Sequence, residues 1–425
     1  MPKPQAVRAE ETINYFDYNY PLPESKDRPF KPTVSVLDSP WNESKKLVHI
    51  GIKGYDISTS NIPDSNLVFL LDVSGSMGST NKLPLVKQSI NLLLDTLKPT
   101  DTVSIVVYAG AAGVVLEPTQ IKEKTAILSA LNRLNAGGST AGGQGIELAY
   151  QLAEQHFNKG GVNRIILATD GDFNVGQSSN EALQTLVERK RDNGVFLSIL
   201  GFGRNNYQDD MMQTLAQNGN GVAAYIDTLS EAKKVLVDEA TSTLFTIAKD
   251  VKIQVEFNPS TVSEYRLIGY ETRALKREDF NNDKVDAGDI GAGHTVTAIY
   301  EITPANAKNQ SIDKPRYAEN QNKIDATANS NEYGYVKIRY KAPTGSKSKL
   351  IEQAIPVTIN NNVDSEILFS TAVAGFAQLL TGGKYTGDLS YSDLVKVASK
   401  HKGDDDFGYR TEFIQLLRMA EIAKP

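Results

Sequence analysis

Five apolar residues in a row, Leu67–Leu71, run directly into Asp72-Val73-Ser74-Gly75-Ser76. An uninterrupted apolar run of this length predicts a strand buried on both faces, as in a parallel sheet. From there apolar runs and helical periodicities alternate. A helix is predicted over 82–97, with Val86, Ile90, Leu93, Leu94 and Leu97 on one face. Further strands are predicted at 103–108, 164–169, 195–200 and 222–226, with an antiparallel edge strand at 114–117. Helices are predicted at 125–134, 141–157, 180–193, 209–218 and 230–248. This β-α alternation predicts a doubly wound, mostly parallel sheet in the order 3-2-1-4-5-6, counted from the 67–71 strand. In that order the strands ending at Asp72 and Asp170 are neighbours where the winding reverses, and ligands of such sheets bind at the carboxyl ends there.

The flanks read differently. Segments 33–37 and 46–53 are strand-like, and the density of apolar residues in Leu47-Val48-His49-Ile50-Gly51-Ile52 requires burial. After Lys249 the pattern turns to period two at 251–257, 265–270, 295–302 and 333–340, which predicts an antiparallel β-sandwich. The early strands need partners, and the open edges of this sandwich supply them. The expected organisation is an arm at 1–30, strands at 31–62 joining a sandwich at 249–360, an inserted α/β domain at 63–248, and helices at 361–425. The turn-rich stretch 305–331 is expected to be mobile. Within the arm, 8–16 reads as a short helix. Trp41, the chain's one tryptophan, reads as an anchor between layers. The terminal helices are expected at 364–381, closed by Gly382-Gly383, then from Ser390-Tyr391-Ser392-Asp393 (a capping-box pattern) to His401, and at 408–423.

Composition narrows the function classes. Of the 425 residues 40% are hydrophobic and 23% charged, an ordinary globular balance that permits two or three cores. A net charge of −6 argues against nucleic-acid binding. No apolar run reaches the 18 residues of a membrane span, and Met1-Pro2-Lys3-Pro4 opens a polar segment rather than a secretion signal. The absence of cysteine excludes disulfides and thiolate metal sites.

The chemistry concentrates at strand ends. Asp72, Ser74 and Ser76 follow the first buried strand. Gly137-Gly138-Ser139-Thr140 precedes the 141–157 helix, which Thr140 can cap while offering its hydroxyl. Arg164–Thr169 is a second apolar run, ending at Asp170-Gly171. A carboxylate buried at a strand end is costly without a cation or donors to answer it. Hard oxygen donors without Cys or His suit Mg²⁺, Mn²⁺ or Ca²⁺ rather than zinc.

Asp72-x-Ser74-x-Ser76, Thr140 and Asp170-Gly171 together resemble the metal-ion-dependent adhesion site of von Willebrand factor type A domains, with all five positions present. Three further stretches, Val7–Tyr18, Leu167–Gly176 and Ala287–His294, resemble the bacterial YfbK-like family over nearly the whole chain. The first resemblance implies a Rossmann-like fold and one divalent ion on Asp72, Ser74, Ser76, Thr140 and Asp170, open to an Asp or Glu from a partner protein. The second implies an exported, often lipid-anchored envelope protein, periplasmic or on the outer surface, whose leader this chain lacks.

Other signals carry less. Asp279-Phe280-Asn281-Asn282-Asp283 begins like a calcium loop, but Lys284 and Ile290 stand where glycine and a bidentate glutamate are needed, so it reads as an acidic turn. Gly201-Phe202-Gly203 has Asn206 in place of a third glycine and reads as a strand-end turn. Asp172 is a candidate acceptor near the metal, and Asp404-Asp405-Asp406 reads as a solvated loop. Three functions remain open. A metal-dependent protein-interaction or adhesion module is preferred over a scaffold whose metal is only structural. A metal-assisted hydrolase ranks last, because no His or Glu is tied to the motif loops.

Overall fold

The computed structural model describes residues 2–423 except 58–62, 140–141, 172–179, 204–208, 240–241, 243, 272–274, 284, 286, 308–309, 311, 313–330, 344 and 359–362. In chain order the elements are α1 (Ala9–Ile13), β1 (Phe30–Asp38), β2 (Lys46–Gly54), β3 (Ser65–Asp72), α2 (Leu83–Leu94), β4 (Thr102–Tyr108), β5 (Ala112–Gln120), α3 (Lys124–Asn132), α4 (Gly142–Gln155), β6 (Val162–Thr169), α5 (Asn180–Asp192), β7 (Phe196–Phe202), α6 (Asp209–Asn218), β8 (Ala223–Ile226) and α7 (Leu229–Lys233). There follow β9 (Thr246–Phe257), β10 (Val262–Leu267), β11 (Gly288–Gly291), β12 (Thr295–Pro304), β13 (Glu332–Lys341), β14 (Ser348–Pro356), α8 (Ser365–Leu380), α9 (Tyr391–Lys400) and α10 (Tyr409–Ala423). They form two compact units, one of residues 56–247 with 288–292, the other of 1–55, 248–287 and 293–425.

The first unit is an α/β sheet in the order β5-β4-β3-β6-β7-β8. β3 lies parallel between β4 and β6, and only the edge strand β5 runs antiparallel, to β4. This is the winding that the apolar runs predict. Every residue of β3 is buried, since helices cover both faces of the sheet. Leu67, Phe69 and Leu71 pack into one core with α2 and α3, and Val68 and Leu70 into the other with α4, α5 and α6. Alternate residues thus serve opposite layers. Because β3 and β6 are parallel and in register from Ser65/Val162 to Leu71/Ala168, the polar residues that follow each strand emerge at the same end.

The second unit holds two antiparallel sheets and the terminal helices. β2 pairs with both β1 and β12, giving the order β1-β2-β12-β10. β13 lies between β9 and β14 in the other sheet. Phe30 against Tyr340 and Phe257 against Tyr300 link the two sheets edge to face. α1, α8, α9 and α10 make a separate apolar cluster around Phe16, Phe369, Phe376 and Phe413, which takes in Leu47 and Ile299 of the first sheet. Trp41 belongs to that cluster, with its indole N–H on Glu301 at 2.8 Å.

Three expectations change. The helix predicted over 230–248 is α7, a π-helical turn at Lys234–Asp238, and then β9, extended from Thr246. The pairing of β9 with β13 continues to Lys249, and the β-branched Thr246 and Ile247 suit that strand. β14 has only a weak alternation, being an edge strand with few buried positions, and was not expected. Asp405 is not merely a loop carboxylate, for it accepts the Arg410 and Thr411 backbone N–H groups at 2.9 and 2.8 Å and so tethers the start of α10. Most of 305–331, and Asp172, lie outside the described residues.

Candidate functional site

Asp72 ends β3 with no exposed surface, and Asp170 follows β6 with 1% exposed. Two carboxylates this deeply buried demand compensation, and the surrounding loops supply part of it. Asp72 Oδ1 accepts the Ser74 backbone N–H at 2.9 Å. Its Oδ2 accepts the Tyr108 hydroxyl at 3.3 Å and, at the outer limit, that of Thr169 at 3.5 Å. Desolvation nevertheless holds the Asp72 carboxyl above the ordinary carboxylate range, with the nearby Asp170 charge adding to the rise and the Ser74 and Tyr108 donors opposing it.

Ser74 and Ser76 face each other, their hydroxyl oxygens 3.0 Å apart. A short 3-10 turn at Gly75–Gly78 follows, and its first amide donates to Gly138 O at 3.0 Å. In return Gly137 N donates to Val73 O at 2.8 Å, so the 137–139 loop is laced to the Asp72 loop on both sides. Gly138 has φ +85°, which a residue with a side chain rarely adopts. Thr140, the next ligand candidate along this loop, lies outside the described residues.

The structure therefore brings together Asp72, Ser74, Ser76 and Asp170. Three residues that the sequence reading did not single out join them. Tyr108 ends β4 beside Asp72, and Thr169 precedes Asp170 and also accepts the Gly171 backbone N–H at 3.1 Å. Lys82, the N-cap of α2, donates from Nζ to Asp170 Oδ2 at 2.8 Å and to Ser76 O at 3.0 Å. Each had one signal: a polar residue closing an apolar run, or a cation at a helix start. Among the described residues no group of three or more His, Cys, Asp or Glu side chains could hold a metal. The two carboxylates and the Ser74 and Ser76 hydroxyls are hard oxygen donors, a set that fits a divalent ion such as Mg²⁺. A recess of about 170 Å³ opens beside the loop, lined in part by Met77, Leu83, Pro84, Leu134 and Ala136.

A family model described as von Willebrand factor type A domain matches residues 66–239, and one described as von Willebrand factor matches 1–49. A third, "Uncharacterized protein YfbK, C-terminal", matches 242–422. The uncharacterized protein YfbK of Escherichia coli K12 is 45% identical over 427 residues, which span 99% of this chain and 74% of that one. The chain belongs to the YfbK-like family. The YfbK-like chain is also 26% identical to the uncharacterized protein sll0103 of Synechocystis, over 75% of this chain and 71% of that one. Inter-alpha-trypsin inhibitor heavy chain H3 of Mesocricetus auratus is 26% identical over 56% of this chain and 28% of its own length. A solved structure titled von Willebrand factor type A from Catenulispora acidiphila superposes with a TM-score of 0.49 at 15% identity, covering 95% of this chain and 91% of that one. By its family-model match over 66–239, the α/β unit is a von Willebrand factor type A domain, of a family of protein-interaction and adhesion modules whose members commonly bind a divalent metal. No described helix is long and apolar enough to cross a membrane.

Proposed function

We propose that this chain binds a partner protein through one divalent cation, Mg²⁺ or else Mn²⁺ or Ca²⁺, held by Asp72, Ser74, Ser76, Thr140 and Asp170. The observation that carries the reading is the pair of buried carboxylates at adjacent strand ends, with the Ser74 and Ser76 hydroxyls beside them. Three of the five ligands are uncharged, so the ion keeps an appetite for a further carboxylate, and Mg²⁺ readily leaves positions to water or a partner oxygen. An Asp or Glu of the partner fills that position, and the recess beside Met77 and Leu83 has room for a neighbouring apolar side chain.

The same geometry supports a binding rather than a catalytic role. Hydrolysis needs a base within reach of metal-bound water. Among the described residues of this unit the one histidine is His156. His156 follows α4 and its carbonyl accepts from Asn66, at the opposite end of β3 from Asp72. The family resemblance further supports a place in the cell envelope, periplasmic or outer, with a lipid anchor on the full-length precursor; fractionation of the native protein tests this.

Affinity capture with the purified chain, run in Mg²⁺ and in EDTA, separates the readings. The proposal expects a partner held in Mg²⁺, released by EDTA and lost with Asp72→Asn. Capture indifferent to EDTA, from protein whose melting still responds to Mg²⁺, would favour the scaffold with a structural metal. Metal-dependent phosphoester or peptide hydrolysis, lost with Asp72→Asn, would overturn the non-catalytic assignment.

A further inference from the structure

Lys82 stands at an unusual place for a cation. It is the N-cap of α2, where the helix dipole and the unpaired amides favour anions. Its side chain makes no cap, and instead runs to the carboxyl end of the sheet with 14% of its surface exposed. There the ammonium joins Asp170 Oδ2 and Ser76 O, one oxygen from each of two loops.

The stem packs against a glycine. Gly203 follows β7 with φ +85°, and a Cβ there would lie 2.4 Å from Lys82 Cε and 3.0 Å from Cγ. The strand-end turn at 201–203 thus lies directly against the lysine stem. A loop evolved only to hold a divalent ion gains nothing from an ammonium placed against one of its two carboxylates.

We propose that Lys82 is a tethered counter-cation of the site, the alternative partner that a divalent ion must displace from Asp170. The inference rests on the divalent-cation reading above. Without metal, Lys82 answers the Asp170 charge and keeps the 74–76 and 170–171 loops joined. When a divalent ion arrives, the ammonium becomes a like charge beside it and must withdraw, which lowers affinity. The lysine therefore sets the metal concentration at which the site fills, and the pairing prevents the loops from springing apart when it empties.

The test is calorimetric titration of Mg²⁺ into the full chain as wild type, as Lys82→Met, which keeps the apolar stem on Gly203, and as Lys98→Met, a control at a surface pair with Asp64. We expect Lys82→Met to bind Mg²⁺ about tenfold more tightly, with Lys98→Met unchanged. In EDTA, Lys82→Met should also melt below wild type, since Asp170 loses its ammonium, and should gain more from added Mg²⁺. Lys82→Gln repeats the comparison should the methionine variant fold poorly. Equal or weaker Mg²⁺ binding by folded Lys82 variants, beside a wild type that binds, overturns the role of Lys82 and leaves the cation site standing. No binding by wild type or variants overturns the cation reading itself, and this inference with it.

Discussion

Asp72 is held in its buried position by particular donors, and each can be removed singly. Tyr108→Phe deletes the hydroxyl 3.3 Å from Asp72 Oδ2 while keeping the ring. Hydrogen bonds to charged groups contribute more than neutral ones, so chemical denaturation should show a loss of about 1.5–3 kcal/mol. A variant as stable as wild type would mean that the contact contributes nothing. His49 offers a second residue-scale test. Burial pushes its imidazole from the usual 6.5 down to about 4, in contact with Tyr20 through a 3.3 Å approach of the hydroxyl to Nε2. Between those values the unfolded chain takes up a proton that the folded chain refuses, so stability is full above pH 6.5 and falls as pH drops toward 4. The loss attributable to this group is up to about 3 kcal/mol. His49→Gln should narrow the gap in denaturation free energy between pH 7 and pH 4.5, and an unchanged gap would contradict the assignment. Asp72 and Asp170 stand out in the sequence because each follows a largely apolar run, and Ser74 and Ser76 because they come two and four residues after Asp72. Tyr108 and Thr169 also close apolar runs, but that signal does not tell them from any other strand end; their contacts, like that of Lys82 with Asp170, join positions 36 to 97 apart in the chain, which no local pattern carries.

At the scale of elements, α4 reaches the sheet closely because Gly145 has no side chain. A Cβ there would lie 2.9 Å from Tyr108 Cβ and 3.2 Å from a Leu70 methyl. Gly145→Val should overpack this contact and cost about 1–3 kcal/mol, read as a lower denaturation midpoint. It should also weaken Mg²⁺ binding, because the ring it displaces carries the hydroxyl on Asp72; retained stability and affinity would argue against this close approach. Which elements were legible follows from burial. β3 and β6, covered by helices on both faces, announce themselves as apolar runs, whereas β14 at a sheet edge has Leu350 51% exposed and little alternation to read. The 230–248 segment misled for another reason. Val235, Leu236, Leu244 and Phe245 all serve the same core, and their spacing fits a continuous helix as well as a helix followed by a strand. The pairing of β9 with β11, and the Ala292 N–H on Phe245 O at 2.8 Å, bring in a partner from far along the chain that local spacing does not show.

Over the whole molecule, the early strands and the arm belong with the C-terminal half of the chain. Asn14 exchanges hydrogen bonds with the Thr297 backbone, and Tyr20 donates to or accepts from the Thr297 hydroxyl at 2.7 Å. Arg410 holds the arm to the helices, with Nη2 on Asp17 O at 2.8 Å, both nitrogens on Glu366, and its guanidinium over Phe369. Arg410→Ala leaves the mostly buried Glu366 without its guanidinium, and should cost that unit about 3 kcal/mol. Limited proteolysis should then cut the arm and terminal helices first, while uniform protection would contradict this role. The divalent site proposed at the ends of β3 and β6 ties fold to function. Its most direct measurement is the melting of the full chain in EDTA and across a Mg²⁺ series, beside Asp72→Asn and Asp170→Asn. A ligand that binds only the folded state adds about 2.7 kcal/mol at a hundredfold excess over its dissociation constant. The wild-type transition should climb with Mg²⁺ while the two variants stay unresponsive; coincident wild-type melting curves in EDTA and in millimolar Mg²⁺, Mn²⁺ and Ca²⁺ would rule the divalent site out.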